Sequence, residues 1–392
     1  MKILRVISSV DLKHGGPING LVSSSKLLVE RGHEVHVATL DEPNSQCLKD
    51  FPFPVFAFKS YLGKFSFSLL YYKWLKENVK KYDVVIIQGL WQGHGFLAAK
   101  ACQKKGVPYV VFTHGMLDPW FNIGAPFKVL KKQIFWKLFE GNTINNAAKV
   151  LFTTEEEKML AKNSFLPYKP NPHVVAYGSS LPEYDSEECI QVFFNKFPEL
   201  KNKKIILFLS RIHPKKGVDL LIDAISKQNN LSADVVFALA GPGDGYIEKL
   251  QRKTIDLGVS NKIFWLGMLK GKEKWGAYNA SEAFILPSHQ ENFGIVVSEA
   301  LSQSKPVLIT NKVNLWREIE TFKAGFVVDD TVDGIQKLLS SWFSLADTEK
   351  ETMSTNALSC YATNFSMNAA VDSLEEVLIQ VITANKPKEY FA

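Results

Sequence analysis

Short apolar runs rich in β-branched residues alternate with helical patterns along nearly the whole chain, and this alternation constrains the fold most. Ile3–Val10 is the first run, and a helical pattern over Asn19–Arg31 separates it from the next, Glu34–Leu40. Strands joined through helices run parallel, with helices on both faces of the sheet. The sequence therefore predicts an α/β fold. Further strands are predicted at Asp83–Gln88, Pro108–Thr113, Lys149–Thr153, His173–Tyr177, Lys204–Ser210, Asp234–Ala240, Ile263–Leu266, Ala283–Leu286, Pro306–Ile309 and Gly325–Val328.

The alternation is interrupted once, and the interruption predicts two domains. Asn163–Ser186 is rich in Pro, Ser, Asn and Tyr, and the pattern restarts at Lys204. A chain of 392 residues exceeds what one hydrophobic core usually serves. We predict domains at 1–180 and 181–365, followed by a final segment, 366–392, with an amphipathic helical pattern over Met367–Ala384.

Composition excludes several classes of protein. No apolar run reaches the roughly 18 to 20 residues that span a bilayer, and the N-terminus is typical of a strand rather than a signal peptide. The net charge of +6 suits a polyanionic ligand or an anionic membrane, but no nucleic-acid motif accompanies it. The cysteines are far apart, as expected for reduced thiols in a cytoplasmic protein, and form neither a disulfide frame nor a zinc site. They are Cys47, Cys102, Cys189 and Cys360.

Glycines and cations directly follow two of the predicted strands. Gly15 and Gly16 precede the first helix, where backbone amides and the helix dipole favour an anion, although these glycines taken alone fit a simple tight turn better. Their spacing to Gly20 does not match a dinucleotide fingerprint. Arg211 and Lys216 follow another strand, where they can neutralise a diphosphate or form only a solvated basic turn.

Two carboxylates, Glu291 and Glu299, flank a predicted helix start with seven residues between them. The amides of Phe293, Gly294 and Ile295 fall between them at the helix N-terminus. One element thus offers a carboxylate near a reacting sugar, amides for a phosphate and a second carboxylate for vicinal hydroxyls. Acids near a helix start are also common for purely structural reasons.

Two other strand ends carry weaker signals. His114 follows Thr113 and precedes Gly115, a position that favours a cleft over the protein core. Gly241-Pro242-Gly243-Asp244-Gly245 also follows a strand, but the next strand ends in Gly267 rather than an acid, so we interpret it as a turn.

Other chemistries fit poorly. The sequence has no G-x-S-x-G, P-loop or H-E-x-x-H motif, and no Asp-x-Asp follows a strand to hold a divalent cation. We therefore predict no metal site and no cofactor. Arg211, Lys216 and a helix N-terminus could offset the charge of a leaving group without a metal.

These motifs together resemble glycosyltransferase family 4, whose members are retaining and use nucleotide-sugars. The resemblance covers nearly the whole chain: Gly15-Gly16, Thr-His114-Gly, Arg211 with Lys216, the 241–244 turn and the Glu-x7-Glu element at 291–299. It implies a GT-B fold, two facing Rossmann-like domains with a cleft between them, and a last helix that crosses back to the N-terminal domain. His114–Trp120 further resembles a subgroup of bacterial polysaccharide-assembly enzymes.

The resemblance also implies a role for each matching residue. Glu291 and His114 would contact the donor sugar, with Glu291 near its anomeric carbon. The nucleotide would be bound by Gly15, Gly16, Arg211, Lys216, Met268, Leu269, Phe293, Gly294, Ile295 and Glu299, with Glu299 on the ribose and 268–269 near the base. Acceptor contacts are expected from the N-terminal domain, near Asn19 and Asp118.

The predicted reaction is transfer of a hexosyl unit from a UDP-sugar to a sugar hydroxyl, with retention at the anomeric carbon. The departing phosphate would take the acceptor's proton in a front-face attack, an account that rests on the family. Three alternatives remain: a nucleotide-sugar epimerase or hydrolase on the same fold, a non-catalytic sugar-nucleotide sensor, and an NAD-dependent oxidoreductase. The last rests on the strand, glycine turn and helix before Asp41-Glu42.

An aromatic, basic segment in the N-terminal half has two interpretations. Phe127–Phe139 carries four lysines among apolar residues. It could lie on the anionic inner face of a membrane and reach a lipid-linked glycan acceptor, or it could be an amphipathic helix packed on its own sheet.

Overall fold

A computed structural model describes residues 1–61, 63–122, 126–181, 183–228 and 231–385. The chain forms two compact units. The first comprises Met1–Tyr177 together with the segment that starts at Met367, and the second comprises Gly178–Ser366. The predicted final segment, 366–392, extends beyond the last described residue.

Each unit contains one sheet in which every strand pairs in parallel, as predicted. The first sheet has seven strands in the order β3-β2-β1-β4-β5-β6-β7, and the second has six in the order β10-β9-β8-β11-β12-β13. Most central strands are buried along their whole length, which explains their continuous apolar runs. The strands are β1 Lys2–Ile7, β2 Glu34–Thr39, β3 Val55–Ala57, β4 Val84–Gln88, β5 Tyr109–Phe112, β6 Lys149–Phe152, β7 Pro172–Val174, β8 Lys204–Leu209, β9 Val235–Ala240, β10 Ile263–Gly267, β11 Ala283–Leu286, β12 Val307–Thr310 and β13 Gly325–Val328.

Sixteen α-helices lie within the described residues, and none of them is both long and apolar enough to cross a membrane. Two π-helical turns lie at Trp136–Glu140 and Tyr361–Phe365. The helices are α1 Gly16–Glu30, α2 Gln46–Lys49, α3 Leu69–Asn78, α4 Gly93–Lys105, α5 Pro126–Phe135, α6 Gly141–Asn145, α7 Glu155–Ala161, α8 Ser186–Lys196, α9 Val218–Ser226, α10 Tyr246–Asp256, α11 Gly271–Ala280, α12 Ile295–Ser302, α13 Trp316–Phe322, α14 Val332–Ser344, α15 Asp347–Cys360 and α16 Met367–Asn385.

Helix α16 belongs to the first unit, although the second unit precedes it in sequence. Its apolar face, which includes Val371 and Leu378, lies in one core cluster with Ile3 of β1. On its outer side, Glu375 accepts hydrogen bonds from Arg31 at 2.9 Å and His33 at 2.8 Å. Burial and charge pairing therefore both attach this helix to the start of the chain.

Several predicted boundaries were wrong. Strand β1 ends at Ile7 rather than Val10, because the Val10 amide turns away to bond the Asp41 carboxylate at 2.7 Å. Helix α1 begins at Gly16 rather than Asn19, with a proline in its first turn, where the missing amide hydrogen costs nothing. Strand β7 occupies Pro172–Val174 instead of His173–Tyr177.

Candidate active site

The second sheet reverses its strand order between β8 and β11, and the loops after these two strands carry three predicted site residues. Arg211 and Lys216 follow β8, while Glu291 follows β11. In open parallel sheets, ligands bind beyond the carboxyl ends of the strands at such a reversal. The donor residues predicted from separate motifs therefore share one edge of the sheet.

The loop with Arg211 is fixed by the glycine-rich turn that follows β9. Gly241 has a φ of +143°, and a Cβ at this position would overlap the carbonyl oxygen of Ser210. The Ile212 amide donates to the Pro242 carbonyl at 2.8 Å. The 241–245 turn therefore has a packing role, as we interpreted it, and it leaves the Arg211 side chain exposed.

Lys216 is buried and its ammonium group pairs with the Glu291 carboxylate. It ends a short 3-10 turn, and Gly217 after it adopts the left-handed conformation. A Cβ on Gly217 would overlap the carbonyl oxygen of Pro287, so the absence of a side chain lets the β8 and β11 loops approach. The sequence predicted both charged residues as donor contacts, but not that they form an ion pair.

The backbone of Glu291 is held as firmly as its side chain. Its amide donates to the Lys312 carbonyl at 2.9 Å, and its carbonyl accepts from the Asn314 amide at 3.0 Å. Three residues later, Gly294 caps α12 in the left-handed conformation and Ile295 begins the helix. Phe293 is buried, with its ring edge-on to Phe365 at 5.7 Å. The carboxylate thus lies next to the N-terminal end of α12, as predicted.

Glu299 lies within α12 and contacts two side chains that the sequence analysis missed. Lys274 donates to its Oε1 at 2.6 Å, and the Tyr278 hydroxyl donates to its Oε2 at 3.1 Å. Burial and the Glu299 charge raise the pKa of Tyr278. Lys274 and Tyr278 are four residues apart on α11 and therefore lie on one helix face. This spacing is the only sequence signal that could have predicted them as partners of Glu299.

The predicted base-binding pair lies between β10 and α11. Met268 is exposed and Leu269 is buried. One residue, Lys270, separates the pair from α11, the helix that supplies the partners of Glu299.

The first sheet also reverses its strand order, between β1 and β4, and a pocket of about 450 Å³ opens there. Its lining is mostly uncharged and able to hydrogen-bond. The side-chain amide of Gln88 is buried, and its nitrogen lacks a partner among the described residues. The polar lining residues are Ser8, Ser9, Asp41, Ser66, Gln88, Gln92 and His114.

His114 lies in this pocket in a strained left-handed conformation, with a φ of +48°. Its Nε2 is 2.7 Å from the Gln88 side-chain oxygen, and its ring stacks on Phe112 at 5.4 Å. The buried Glu157 fixes the flanking backbone, because it accepts from the Thr113 hydroxyl at 2.6 Å and the Gly115 amide at 2.5 Å. Neighbouring groups therefore hold the imidazole in the pocket.

The remaining predicted contacts in the first unit are more peripheral. Gly15 has a φ of +84° and caps the start of α1, which Gly16 begins. Asn19 is exposed on α1, and Asp118 caps a turn through the Trp120 amide at 2.8 Å; neither lines the pocket. Acceptor contacts by these two residues stay a prediction.

The acid that suggested an NAD site has a structural role here. The Asp41 carboxylate accepts from the Ser9 hydroxyl at 2.6 Å, the Val10 amide at 2.7 Å and the Thr39 hydroxyl at 2.7 Å. It therefore ties the ends of β1 and β2 together. Among the described residues, no three or more His, Cys, Asp or Glu side chains cluster as a metal ion would need.

His114 should make folding sensitive to acid. Burial and then the nearby Arg5 charge lower its pKa to about 3, so the folded ring stays neutral when the unfolded chain takes up a proton below about pH 6.5. Stability is then present above that pH and lost as the pH falls. Between pH 7 and pH 5, we expect the free energy of unfolding of a His114→Gln variant to fall by about 1 to 2 kcal/mol less than that of the wild type. Urea unfolding at both pH values measures this, and identical losses would contradict the assignment.

The fold and the site define a two-unit α/β protein with charged residues at the reversal of its second sheet, and comparison with known proteins identifies its family. Residues 190–358 match the glycosyl transferases group 1, and residues 15–197 match Glycosyltransferase Family 4. An uncharacterized glycosyltransferase of Methanocaldococcus jannaschii is 31% identical over 286 residues, 68% of each chain. The alpha-D-kanosaminyltransferase of Streptomyces kanamyceticus is 25% identical over 70% of this chain and 71% of its own.

A solved structure shares the fold. HepE of Anabaena, crystallised with UDP and glucose, superposes with a TM-score of 0.73 at 19% identity, over 97% of this chain and 100% of its own. The two family models and the Methanocaldococcus jannaschii relative show that the chain belongs to glycosyltransferase family 4. It is a glycosyltransferase with the GT-B fold, which confirms the predicted family, fold class and enzyme class.

Proposed function

We propose that this glycosyltransferase moves a hexosyl unit from a UDP-sugar to a hydroxyl group of a glycan, with retention at the anomeric carbon. The observation that carries the proposal is the cluster at the β8–β11 edge: Arg211, the Lys216–Glu291 pair and the start of α12. A nucleoside diphosphate needs cations and amide donors, whereas a sugar needs a fixed carboxylate. This edge offers both within one unit.

The donor's diphosphate would bind the exposed guanidinium of Arg211, with the α12 N-terminus and Lys216 adding positive potential. Glu299 would accept the ribose hydroxyls, because Lys274 and Tyr278 hold its carboxylate in place. UDP as the leaving group is supported by HepE, which binds UDP. These groups would offset the leaving charge without a metal ion.

The transfer step would proceed on one face of the sugar. The bond from the anomeric carbon to the phosphate oxygen breaks, the bond to the acceptor oxygen forms on the same side, and the acceptor's proton passes to the departing phosphate. Glu291 would hydrogen-bond the donor sugar. Its pairing with Lys216 disfavours a role as a covalent nucleophile, since the ammonium group stabilises its charge in place.

The acceptor would bind in the pocket of the first unit. Serine hydroxyls and side-chain amides suit the hydroxyl groups of an uncharged saccharide, while the neutral imidazole of His114 would contact the donor sugar. We place the reaction in the cytoplasm, with a glycan or lipid-linked glycan as acceptor and a role in polysaccharide assembly.

A binding panel tests the donor assignment. We expect metal-free protein, titrated calorimetrically with UDP, GDP, ADP and NAD, to bind UDP most tightly, and Glu299→Ala to weaken UDP binding at least about 10-fold through the lost ribose contacts. Glu248→Ala changes an exposed acid on α10 of the same unit and serves as the control. Preference for GDP would change the donor base, whereas binding of NAD alone would overturn the proposal.

A further inference from the structure

Helix α5 and the π-helical turn after it present an apolar stripe to solvent. Phe127, Leu130, Ile134 and Leu138 are exposed by 81%, 59%, 52% and 63% of their surface. Their spacing of three, four and four residues places them along one side of the helix. A contiguous exposed stripe of this size marks an interaction surface more often than scattered apolar residues do.

The opposite side of the same segment is already packed. Trp136 is fully buried, stacks on Phe165 at 5.4 Å and donates from its indole nitrogen to the Pro167 carbonyl at 2.9 Å. Phe135 lies edge-on to Phe65 at 5.3 Å. One side of the helix therefore packs on the first unit, and the exposed stripe lies on the other side rather than facing the core.

The charges beside the stripe select its partner. Residues 126–139 contain four lysines and no acid. Lys128, Lys131 and Lys137 are exposed, and Lys132 lies over the Trp91 ring at 4.8 Å. Apolar side chains flanked by lysines are complementary to an anionic bilayer, in which the chains enter the headgroup boundary and the ammonium groups meet lipid phosphates.

We infer that this surface, named the α5 face and formed by the four stripe residues with Lys128, Lys131 and Lys137, docks on an anionic lipid bilayer. Its occupant is the lipid surface itself. The inference rests on the proposed function in one respect: a docked enzyme would receive its acceptor as a lipid-anchored saccharide.

Contacts between the helix and the pocket support that substrate class. Glu140, at the end of the π-helical turn, accepts a hydrogen bond from the Trp91 amide at 3.0 Å. Trp91 lies in the short loop between Gly89 and Gln92, both of which line the pocket. The segment that bears the α5 face therefore also holds a wall of the pocket. A saccharide headgroup could enter the pocket while its lipid stays in the bilayer.

Vesicle flotation of the full chain tests the inference. We expect phosphatidylglycerol vesicles at low salt to bind the protein at least about 10-fold more tightly than phosphatidylcholine vesicles. Leu130→Ser with Leu138→Ser should reduce that binding at least about 10-fold, because the inserted apolar surface is lost. Leu69→Ser with Leu70→Ser, a similarly exposed pair on α3, is the matched control and should bind like the wild type. Lys128→Gln with Lys131→Gln and Lys137→Gln should remove the preference for phosphatidylglycerol, because the ammonium groups that meet lipid phosphates are lost.

Two results would overturn the inference. One is unchanged vesicle binding by the Leu130/Leu138 variant. The other is failure of the wild-type protein to bind anionic vesicles, and self-association that the Leu130/Leu138 variant abolishes in sedimentation would then make a second copy of the chain the occupant. Calorimetry with UDP on each variant separates the two proposals. UDP binding without vesicle binding contradicts membrane docking by the α5 face alone. Vesicle binding without UDP binding contradicts the proposed donor alone.

Discussion

Lys216→Met is expected to lower UDP release from a UDP-sugar about 100- to 1000-fold and to destabilise the protein by about 3 kcal/mol. The activity falls because Lys216 is the cation that we propose lies near the leaving diphosphate. The stability falls because the substitution leaves Glu291 partly buried without its ion-pair partner. Urea unfolding and a UDP-release assay with saccharide acceptors measure the two effects.

A double substitution separates these effects. Lys216→Met combined with Glu291→Leu replaces the pair with apolar side chains, which is often close to neutral for stability. We expect stability to return to within about 1 kcal/mol of the wild type while UDP release stays low. If the single variant kept full activity, Lys216 would be a structural residue only.

Gly217→Ala is expected to cost about 3 to 5 kcal/mol of stability and to abolish UDP binding. Part of the cost, about 1 kcal/mol, arises because alanine disfavours the φ of +65°. The larger part arises because the new Cβ overlaps the Pro287 carbonyl oxygen and forces the β8 and β11 loops apart.

Gly258→Ala is the matched control, because Gly258 has a φ of +69° but no atom within 4 Å of an added Cβ. It should cost only about 1 kcal/mol and leave UDP binding unchanged. Thermal unfolding and UDP calorimetry on both variants give the comparison. Equal losses would show that conformation, rather than the approach of the two loops, determines the effect.

The sequence predicted the alternating strands and the charged strand ends, because a buried parallel strand is a continuous apolar run and its loop residues follow at once. It did not predict β3, whose three residues lie close to prolines. Nor did it predict that Lys216 pairs with Glu291, since that contact depends on β8 lying beside β11. Strand order is a property of the folded sheet and leaves no local pattern.

The roles of buried polar residues in the candidate site could not be predicted from the sequence either. Gln88 ends an apolar strand and Glu157 follows two other acids at a helix start, so neither differs from its neighbours in sequence. Only the structure shows that Gln88 contacts His114 and that Glu157 fixes the backbone around it. The α5 segment was ambiguous for a related reason: its sequence indicates an amphipathic helix, but not which side is covered.

The location of α16 has a consequence for the order in which a nascent chain can fold. The second unit is continuous in sequence, so it can complete its core as soon as Ser366 has left the ribosome. The first unit is synthesised earlier but stays incomplete, because Val371 and Leu378 pack with Ile3 only when α16 emerges. The first unit therefore completes its core after the second, and the apolar surface that α16 covers stays accessible to chaperones until then.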